Sequence, residues 1–373
     1  MKKTLRVFGI IAVVVCLIVS IVACDKKGDK DTIDVVAVSE SEYASVEDAL
    51  KGYVKEELAY STTNYNNEVE EVVKAEYVSN ESKGEVAGNT IKLSDAQKTN
   101  FVSAEKYAVK VKVAFASINE DFSEATQTVY VLKYGEKFKF MVSTPEVGER
   151  ITNSYVKMLT DSSKYENCTV SGVGMGKEED DEEPIFDSAT EFKFTKEASQ
   201  QIKYYDKTRF DNHTPGGDDE SNDRVMYVVK NGDSIASVEN RISEDKEVWT
   251  ATALEGEYYK DIKTVADYNK YMFENNVFYM FENLPAALFT KTEKGFEYKY
   301  EEVEEDGDKE TAVYTITVSD NKIIGMNLIE SYIWTVEEKT YVESFESDSK
   351  ISAFGSTTVS VPEAVTEALS QLA

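Results

Sequence analysis

The stretch Lys106–Phe115, KYAVKVKVAF, decides the fold of the first half of the chain. Tyrosine, valine and phenylalanine occupy every second position of it and alternate with lysine and alanine. A period of two is the pattern of a β-strand with one buried face and one solvent face. Two further strand-like segments, Thr126–Lys133 and Phe138–Val142, flank the turn sequence Tyr134–Lys137. The sequence therefore predicts an antiparallel sheet in this region.

One amphipathic helix precedes this sheet. Ser45 and Asp48 resemble the start of a capping box, and apolar residues follow at helical spacing as far as Ala59. A helix followed by a curved antiparallel sheet resembles NTF2-like and cystatin-like domains. Within the sheet, Val129–Phe140 (VYVLKYGEKFKF) resembles the closing hairpin of small export-associated members of that group. The resemblance implies a first domain over residues 45–175, with a pocket between helix and sheet that is catalytic, ligand-binding or simply filled.

Six consecutive acids, Glu178–Glu183, separate glycine-rich sequence from Pro184. Adjacent carboxylates repel one another and do not pack together, so the run predicts an exposed acidic linker over residues 176–189. A calcium site is the alternative, because calcium takes several carboxylate oxygens. The run lacks the alternating ligand spacing and the turning glycine of a dedicated calcium loop, so we expect a linker that holds no metal.

Strand patterns dominate the second half of the chain. The dipeptide Asn231–Gly232, a strong hairpin signal, joins Val225–Val229 to Ile235–Val238. A polar loop, Asp211–Asp223, holds the only histidine, His213. A metal site built from this histidine and its neighbouring aspartates is one interpretation of the loop. A mobile hairpin end is the interpretation we favour.

The centre of the second half is an aromatic-rich helix. Thr264 and Asp267 form its predicted cap, and the helix is predicted to end near Leu284, because Pro285 disfavours helical geometry in the residue before it. The segment 258–300 contains 12 aromatic residues. Because aromatic residues are concentrated there, this helix is the main candidate for a binding site.

Aromatic residues fall on more than one face of this helix. On a helical wheel Tyr279 lies on a broad apolar arc, whereas Phe278 and Phe281 fall among charged residues. Such a helix is either wedged between the sheet and another element or lines a cavity for a hydrophobic ligand. The candidate pocket residues are Tyr268, Tyr271, Met272, Phe278, Tyr279 and Phe281.

Strand patterns resume at Phe296 and continue to Phe354, and a short terminal helix is predicted from about Glu363. Long antiparallel strands, a crossing helix and more strands resemble the half-barrel lipoproteins typified by the LolA and LolB carriers. The resemblance implies a second domain over residues 190–373, in which a strongly curved sheet wraps helices and encloses a cavity for acyl chains. The predicted fold class is α+β with two domains, each a curved antiparallel sheet packed on helix, the second half-barrel-like around the aromatic-rich helix.

The first 24 residues have the anatomy of an export signal. Three basic residues precede the uncharged run Val7–Ile21, which is shorter than the roughly 20 apolar residues that a bilayer span needs. The ending Val22–Cys24 resembles the lipobox of bacterial lipoproteins. That resemblance implies that residues 1–23 are removed and that Cys24 carries a diacylglycerol. Residues 24–44 are then predicted to be a flexible tether, and the protein is placed on the extracytoplasmic face of the cell membrane. The alternative is an ordinary secreted protein that is cleaved after Ala23.

Charge and cysteine content narrow the possible partners. The formal net charge of −29 repels nucleic acid phosphates, so nucleic acid is not expected as a partner. Of the three cysteines only Cys168 lies outside the N-terminal segment, so no disulfide framework is expected. Few cysteines together with many lysines, asparagines and tyrosines indicate a Gram-positive exported protein.

No segment has the residue arrangement of a nucleophilic triad, a phosphate-binding loop or a histidine-rich metal site. We therefore expect no catalytic residue and no cofactor. The resulting hypothesis is a membrane-anchored, non-enzymatic carrier or binding module for a hydrophobic, lipid-like ligand. The first alternative is a surface adhesin or cell-wall glycan binder that uses exposed aromatics. The second alternative is an enzyme of the NTF2-like type.

Overall fold

The computed structural model of the chain describes residues 32–63, 69–115, 119–178, 186–206, 224–243, 246–256, 259–303, 307–336 and 339–372. In these parts the chain is α+β and consists mainly of two antiparallel sheets, so the predicted fold class is confirmed. Four predictions lie outside the described residues: the signal over residues 1–23, the anchor Cys24, most of the acidic run and the loop around His213.

The first sheet contains the predicted alternating strand. Its six antiparallel strands are β1 (Val35–Val38), β2 (Tyr60–Thr63), β3 (Val69–Val86), β4 (Phe101–Phe115), β5 (Asn119–Tyr134) and β6 (Lys137–Ser143). Their order across the sheet is β1-β6-β5-β4-β3-β2. The valines of the alternating stretch, Val109, Val111 and Val113, are buried as predicted. Residues Val35–Val38, which fall within the predicted tether 24–44, form the strand β1. Their backbone pairs with β6, and their apolar side chains are partly buried.

The second sheet curls into a half-barrel. Its eleven strands are β7 (Cys168–Glu178), β8 (Phe186–Phe194), β9 (Ala198–Asp206), β10 (Arg224–Asn231), β11 (Ser234–Ser243), β12 (Lys246–Ala253), β13 (Thr290–Lys291), β14 (Gly295–Val303), β15 (Lys309–Ser319), β16 (Lys322–Val336) and β17 (Lys339–Ser352). Their order is β12-β11-β10-β9-β8-β7-β17-β16-β15-β14-β13. The predicted hairpin at Asn231–Gly232 is confirmed, with Gly232 at a φ of 62° that glycine adopts without strain.

Strand β7 shows where the two sheets divide along the chain. It pairs with β17 over Thr169–Glu178, so residues that we assigned to the first domain and to the start of the linker belong to the second sheet. The end of the predicted linker, from Phe186, likewise lies in β8. Residues 179–185 lie outside the described residues, and the domain division itself stays a prediction.

Six α-helices accompany the sheets: α1 (Val46–Tyr53), α2 (Asp95–Lys98), α3 (Asn153–Leu159), α4 (Val265–Met272), α5 (Met280–Asn283) and α6 (Glu363–Leu369), all within the described residues. Helix α1 continues into a π-helical turn at Val54–Leu58, and α4 continues into another at Phe273–Val277. The predicted caps are confirmed, because the Ser45 and Thr264 hydroxyls each accept a hydrogen bond from the backbone three residues on. The terminal helix begins at Glu363 as predicted.

The predicted aromatic helix ends at Leu284 as expected, but it is not one regular α-helix, because α4 is followed by a π turn and then by the separate helix α5. The π turn at Phe273–Val277 closes with the Phe278 amide donating to the Phe273 carbonyl at 2.8 Å, one residue further than in an α-helix. Every later residue is therefore rotated away from its position on an ideal wheel. Phe278 becomes buried at 4% exposure, whereas Tyr279, which the wheel placed on the apolar arc, is 41% exposed.

The two sheets meet through one hydrophobic core. A single cluster of buried side chains includes Leu50 and Phe140 beside the first sheet and Phe194 and Phe296 from the second. The backbone also connects them, because Gly148–Ile151 pairs with Phe289–Lys291; the Ile151 amide, for example, donates to the Phe289 carbonyl at 3.0 Å. A large cleft lies at this junction.

Candidate ligand-binding cleft

A cleft of about 1190 Å³ opens between the helical layer of the first sheet and the aromatic helix of the second. One wall is β1 with the start of α3. The opposite wall comes from the π turn after α4, from α5 and from the short 3-10 helix Ala286–Leu288. The cleft is therefore a product of the junction, and neither sheet forms it alone.

The aromatic helix contributes two of its six predicted pocket residues to this cleft. Phe278 and Phe281 line it, next to Pro285 and Ala286. Phe278 is anchored in the core, with its ring 5.0 Å from that of Tyr165 and 5.5 Å from that of Phe273. Phe281 is only partly buried and packs on Phe289, with the ring centroids 6.0 Å apart.

The other four candidates do not line the cleft. Tyr268 and Met272 are buried against the second sheet. Tyr271 is half-buried and contacts Tyr259 edge to face at 6.1 Å. Tyr279 points to solvent. The structure thus separates two packing residues and two outlying aromatics from the pair that lines the cleft.

The apolar wall opposite these phenylalanines comes from the first sheet and its helix. Val36 and Val38 of β1, Phe140 of β6, and Val156 and Met158 of α3 line the cleft. Val156 is buried and Val36 is partly buried, so the wall continues the shared core outward to the surface. The result is an apolar surface on both sides of the cleft.

A buried acid lies in the cleft. The Glu57 side chain, in the π turn after α1, is 6% exposed and accepts hydrogen bonds from the Ser154 amide at 2.8 Å and the Ser154 hydroxyl at 2.7 Å. Burial raises the pKa of the Glu57 carboxyl, and the two hydrogen bonds from Ser154 oppose that rise. The bonded amide is in the first turn of α3, where a helix favours negative charge.

Neighbouring polar contacts fix the same corner of the cleft. The Asn153 amide group donates to the carbonyls of Glu56 and Ala59, at 3.0 and 3.1 Å, and so satisfies the end of the π turn. The Tyr43 hydroxyl donates to the Glu56 carboxylate at 2.6 Å. Burial, followed by this hydrogen bond, raises the pKa of Tyr43 to about 12. The corner is therefore held rigidly before any ligand arrives.

Acids outnumber bases around the cleft. Among the described residues, five carboxylates and two lysines line it: Glu40, Glu56, Glu57, Asp161, Glu274, Lys157 and Lys270. Lys270 lies 3.8 Å from Glu274, one helical turn away on the exposed face. The cleft thus combines apolar and polar lining residues with an excess of acids, which suits an amphipathic molecule whose polar end is neutral or cationic.

Sequence reasoning missed the polar half of this site. No motif marks Glu57, Asn153 or Ser154, but one signal was present. Glu57 lies seven residues after Leu50 and four after Tyr53, so it occupies the apolar face of an amphipathic helix. An acid at such a position is buried only where a partner satisfies it, and Ser154 is that partner.

Three further observations concern the described residues only. They contain no helix that is both long and apolar enough to cross a membrane. No group of three or more metal-ligating side chains occurs among them either. Cys168, fully buried, donates its thiol to the Tyr165 carbonyl at 3.4 Å, and burial raises its pKa to about 12.

Comparison with known proteins adds little. No family model matches the chain, and no curated protein sequence matches it. Among solved structures, the di-domain ARO/CYC StfQ from the steffimycin biosynthetic pathway is similar at 10% identity and a TM-score of 0.10, over 58% of this chain and 86% of that one. A likeness of that size supports no conclusion on fold or function, so the site is interpreted from its own chemistry.

Proposed function

We propose that this protein is a membrane-anchored, extracytoplasmic lipoprotein that binds a lipid-like amphiphile, without catalysis, in the cleft at the junction of its sheets. The observation that carries this proposal is the position of Phe278 and Phe281. Both come from the aromatic helix and both face a cleft of about 1190 Å³ whose opposite wall is also apolar. Ligand sites in proteins are commonly apolar clefts of about 300–1,000 Å³ with a few fixed polar groups.

The charged residues of the cleft define the polar end of the ligand. Because carboxylates outnumber lysines there, an anionic head group would be repelled, and a neutral or cationic head group is favoured. Glu57 and Glu56 are already held by Ser154 and Tyr43, so they offer fixed acceptors at one end of the apolar walls. A monoacylglycerol-like molecule has the matching chemistry.

The anchor would place this cleft close to a bilayer. In the proposal Cys24 carries the lipid, and β1, which lines the cleft, begins at Val35. A chain of eleven residues spans at most about 40 Å when fully extended. A ligand leaving the membrane would therefore have a short path to the cleft.

Binding of the neutral fluorophore N-phenylnaphthylamine, displaced by monoolein, tests the proposal. Phe281→Ala should weaken monoolein binding about tenfold, the equivalent of about 1.4 kcal/mol of lost contact. Tyr279→Ala is the matched control, because it removes an aromatic ring two residues away that does not line the cleft. Equal affinities in the two variants, or no binding by the wild type, would refute the cleft as a lipid site. Oleate should compete less well than monoolein.

The anchor is tested separately. Wild-type protein expressed in a bacterium fed an alkyne-tagged fatty acid should become labelled and partition into detergent. Cys24→Ala should remove both properties. An unlabelled wild-type protein would leave the cleft proposal standing and overturn the anchor.

One observation favours a second candidate, binding of cell-wall glycan. Trp334 on β16 lies directly opposite Tyr341 on β17, with ring centroids 5.5 Å apart, and Tyr332 continues the row at 5.3 Å. Tyr341 is 37% exposed. Exposed aromatic rings pack well against the apolar faces of sugars. Sedimentation with purified peptidoglycan should be lost in Trp334→Ala if this row binds glycan, and unchanged if it does not.

A further inference from the structure

A second, smaller cavity of about 410 Å³ lies on another side of the junction. Its walls are Val113 and Phe115 at the end of β4, Leu288, and Tyr298 and Tyr300 of β14. It shares no lining residue with the larger cleft. The cavity therefore has an apolar and aromatic lining of its own.

Two cations among the described residues line this cavity, Arg150 and Lys299, and hydrogen bonds hold the backbone of Arg150 in place. The Arg150 amide donates to the Gln127 side-chain oxygen at 2.7 Å, and the Gln127 side-chain nitrogen donates back to the Arg150 carbonyl at 3.0 Å. Gln127 is 1% exposed, so this reciprocal pair is sealed from solvent. On the other side Arg150 forms a β-bridge with Thr290.

Within the part of the chain that the structure describes, the guanidinium is held by neutral groups alone. One terminal nitrogen donates to the Leu288 carbonyl at 3.0 Å and to the Thr290 hydroxyl at 3.4 Å, and the other donates to the Ser123 hydroxyl at 2.6 Å. An arginine side chain has five N–H donors in a rigid fork, so donors remain for a further acceptor. The guanidinium is therefore held in one orientation while some of its N–H donors remain available to a ligand.

No carboxylate of a described residue forms an ion pair with Arg150, although the chain has 70 acids against 41 bases. The two acids that line the cavity each pair with a lysine, Glu297 with Lys299, which also lines the cavity, at 2.9 Å and Glu301 with Lys309 at 3.1 Å. Burial lowers the pKa of Arg150, which reflects the cost of a cation that has lost water without gaining a counterion. An anionic ligand would supply that counterion.

We infer that this cavity binds the carboxylate of a small organic acid, with the free N–H groups of Arg150 donating to the carboxylate and the aromatic walls contacting the apolar body. Arginine suits this role because its fork matches the two oxygens of a carboxylate. The site differs in charge preference from the acidic cleft, so it does not depend on the function proposed above.

Two probes that share one apolar body test the inference. Hydrocinnamate carries a carboxylate where hydrocinnamyl alcohol carries a hydroxymethyl group. Calorimetric titration of each into the full-length chain compares their affinities and so measures the contribution of the charge to binding. We expect the acid to bind at least about tenfold more tightly than the alcohol, because a hydrogen bond to a charged group is worth more than a neutral one. Arg150→Gln should abolish this preference, whereas Phe281→Ala in the larger cleft should leave it unchanged.

Arg224→Gln is the charge control, since this arginine contacts Glu239 at 3.7 Å on the surface and lines neither cavity. If Arg150→Gln does not fold, wild-type protein answers the question through the side-chain resonances of its five arginines. Hydrocinnamate should shift one of them, and that resonance should be unaffected by Arg224→Gln. The inference would be overturned if the wild type showed no preference for the acid. It would also be overturned if a folded Arg150→Gln retained that preference, or if Arg224→Gln lost it equally.

Discussion

Each sheet packs against a helix, and the two helices begin in the same way but are followed by different segments. Helix α1 and helix α4 both begin at a hydroxyl cap followed by an acid, run for eight residues, and then widen into a five-residue π turn. After the first π turn the chain leaves at once through Ala59 into β2. After the second it continues through Phe278 and Phe281 into the cleft.

The difference shows what a π turn achieves in each place. In the first helix it brings Val54 and Leu58 onto the sheet and seats Glu57 against α3, which closes the core. In the second it turns Phe278 inward and leaves Phe281 half-buried at an open space. A single extra residue in a turn changes the direction of every side chain that follows, and such turns are frequent at functional sites. The second π turn is therefore the local feature that builds the cleft wall.

The largest expected effect comes from changing the length of the second helix. Deleting Asn275, an exposed residue of the π turn, should convert that turn into an α turn and keep Phe278 facing the core. Deleting Lys270, an exposed residue of α4, should instead rotate the packed residues by about 100°. We expect the Lys270 deletion to cost at least the ~3–5 kcal/mol of one lost core aromatic, and the Asn275 deletion far less. Denaturant unfolding of both variants measures the difference. Similar losses would show that the π turn is not an inserted residue within an otherwise regular helix.

A smaller effect distinguishes two neighbouring rings of that helix. Phe278→Ala should reduce the free energy of unfolding by ~3–5 kcal/mol, because the ring is buried between Tyr165 and Phe273. Tyr279→Ala should change it by no more than ~0.5 kcal/mol, because this residue is 41% exposed and lies outside the core. Midpoints of urea unfolding for the two variants give the comparison. If Tyr279→Ala instead cost more stability than Phe278→Ala, the two rings would lie on the faces that an ideal helical wheel predicts, and the π turn would not explain their burial.

The sequence predicted the elements well where one physical signal dominated. The alternation at Lys106–Phe115, the caps at Ser45 and Thr264, and the Asn231–Gly232 turn are local, and each gave the observed element. The 18-residue strand β3 was missed because its stretch is rich in charged and polar residues, and several of its side chains are exposed. Local signals of this kind do not reveal a strand whose pairing, rather than its burial, holds it in place.

The site was less predictable than the fold, for two reasons. A helical wheel assumes a constant turn, so it could not place Phe278 and Tyr279 on their observed faces. The cleft also depends on how β1 and α3 meet α5, residues more than 100 positions apart in sequence, and no local pattern encodes that meeting. The same holds for Arg150, whose partners Leu288 and Thr290 lie 138 and 140 positions away in sequence.

The smallest expected effect compares the acids of the two π turns. Glu57 is buried and accepts from Ser154, whereas Glu274 is exposed beside Lys270. Because burial raises the folded-state pKa of Glu57 above its unfolded value, the folded protein binds the extra proton more readily. The contribution of Glu57 to stability is therefore present below the unfolded pKa and decreases as pH rises through the folded pKa.

Replacing each acid by glutamine tests this, with the free energy of unfolding measured against pH. Relative to the wild type, Glu57→Gln should gain stability as pH rises through that window, because glutamine has no proton to lose. Glu274→Gln should follow the wild-type curve within ~0.5 kcal/mol at every pH, as expected for an exposed charge. If Glu57→Gln instead loses relative stability with rising pH, the two Ser154 hydrogen bonds and the start of α3 outweigh burial, and the carboxylate is favoured as an anion. The first π turn would then present a fixed negative charge to the cleft, and the preference for a neutral or cationic head group would become sharper.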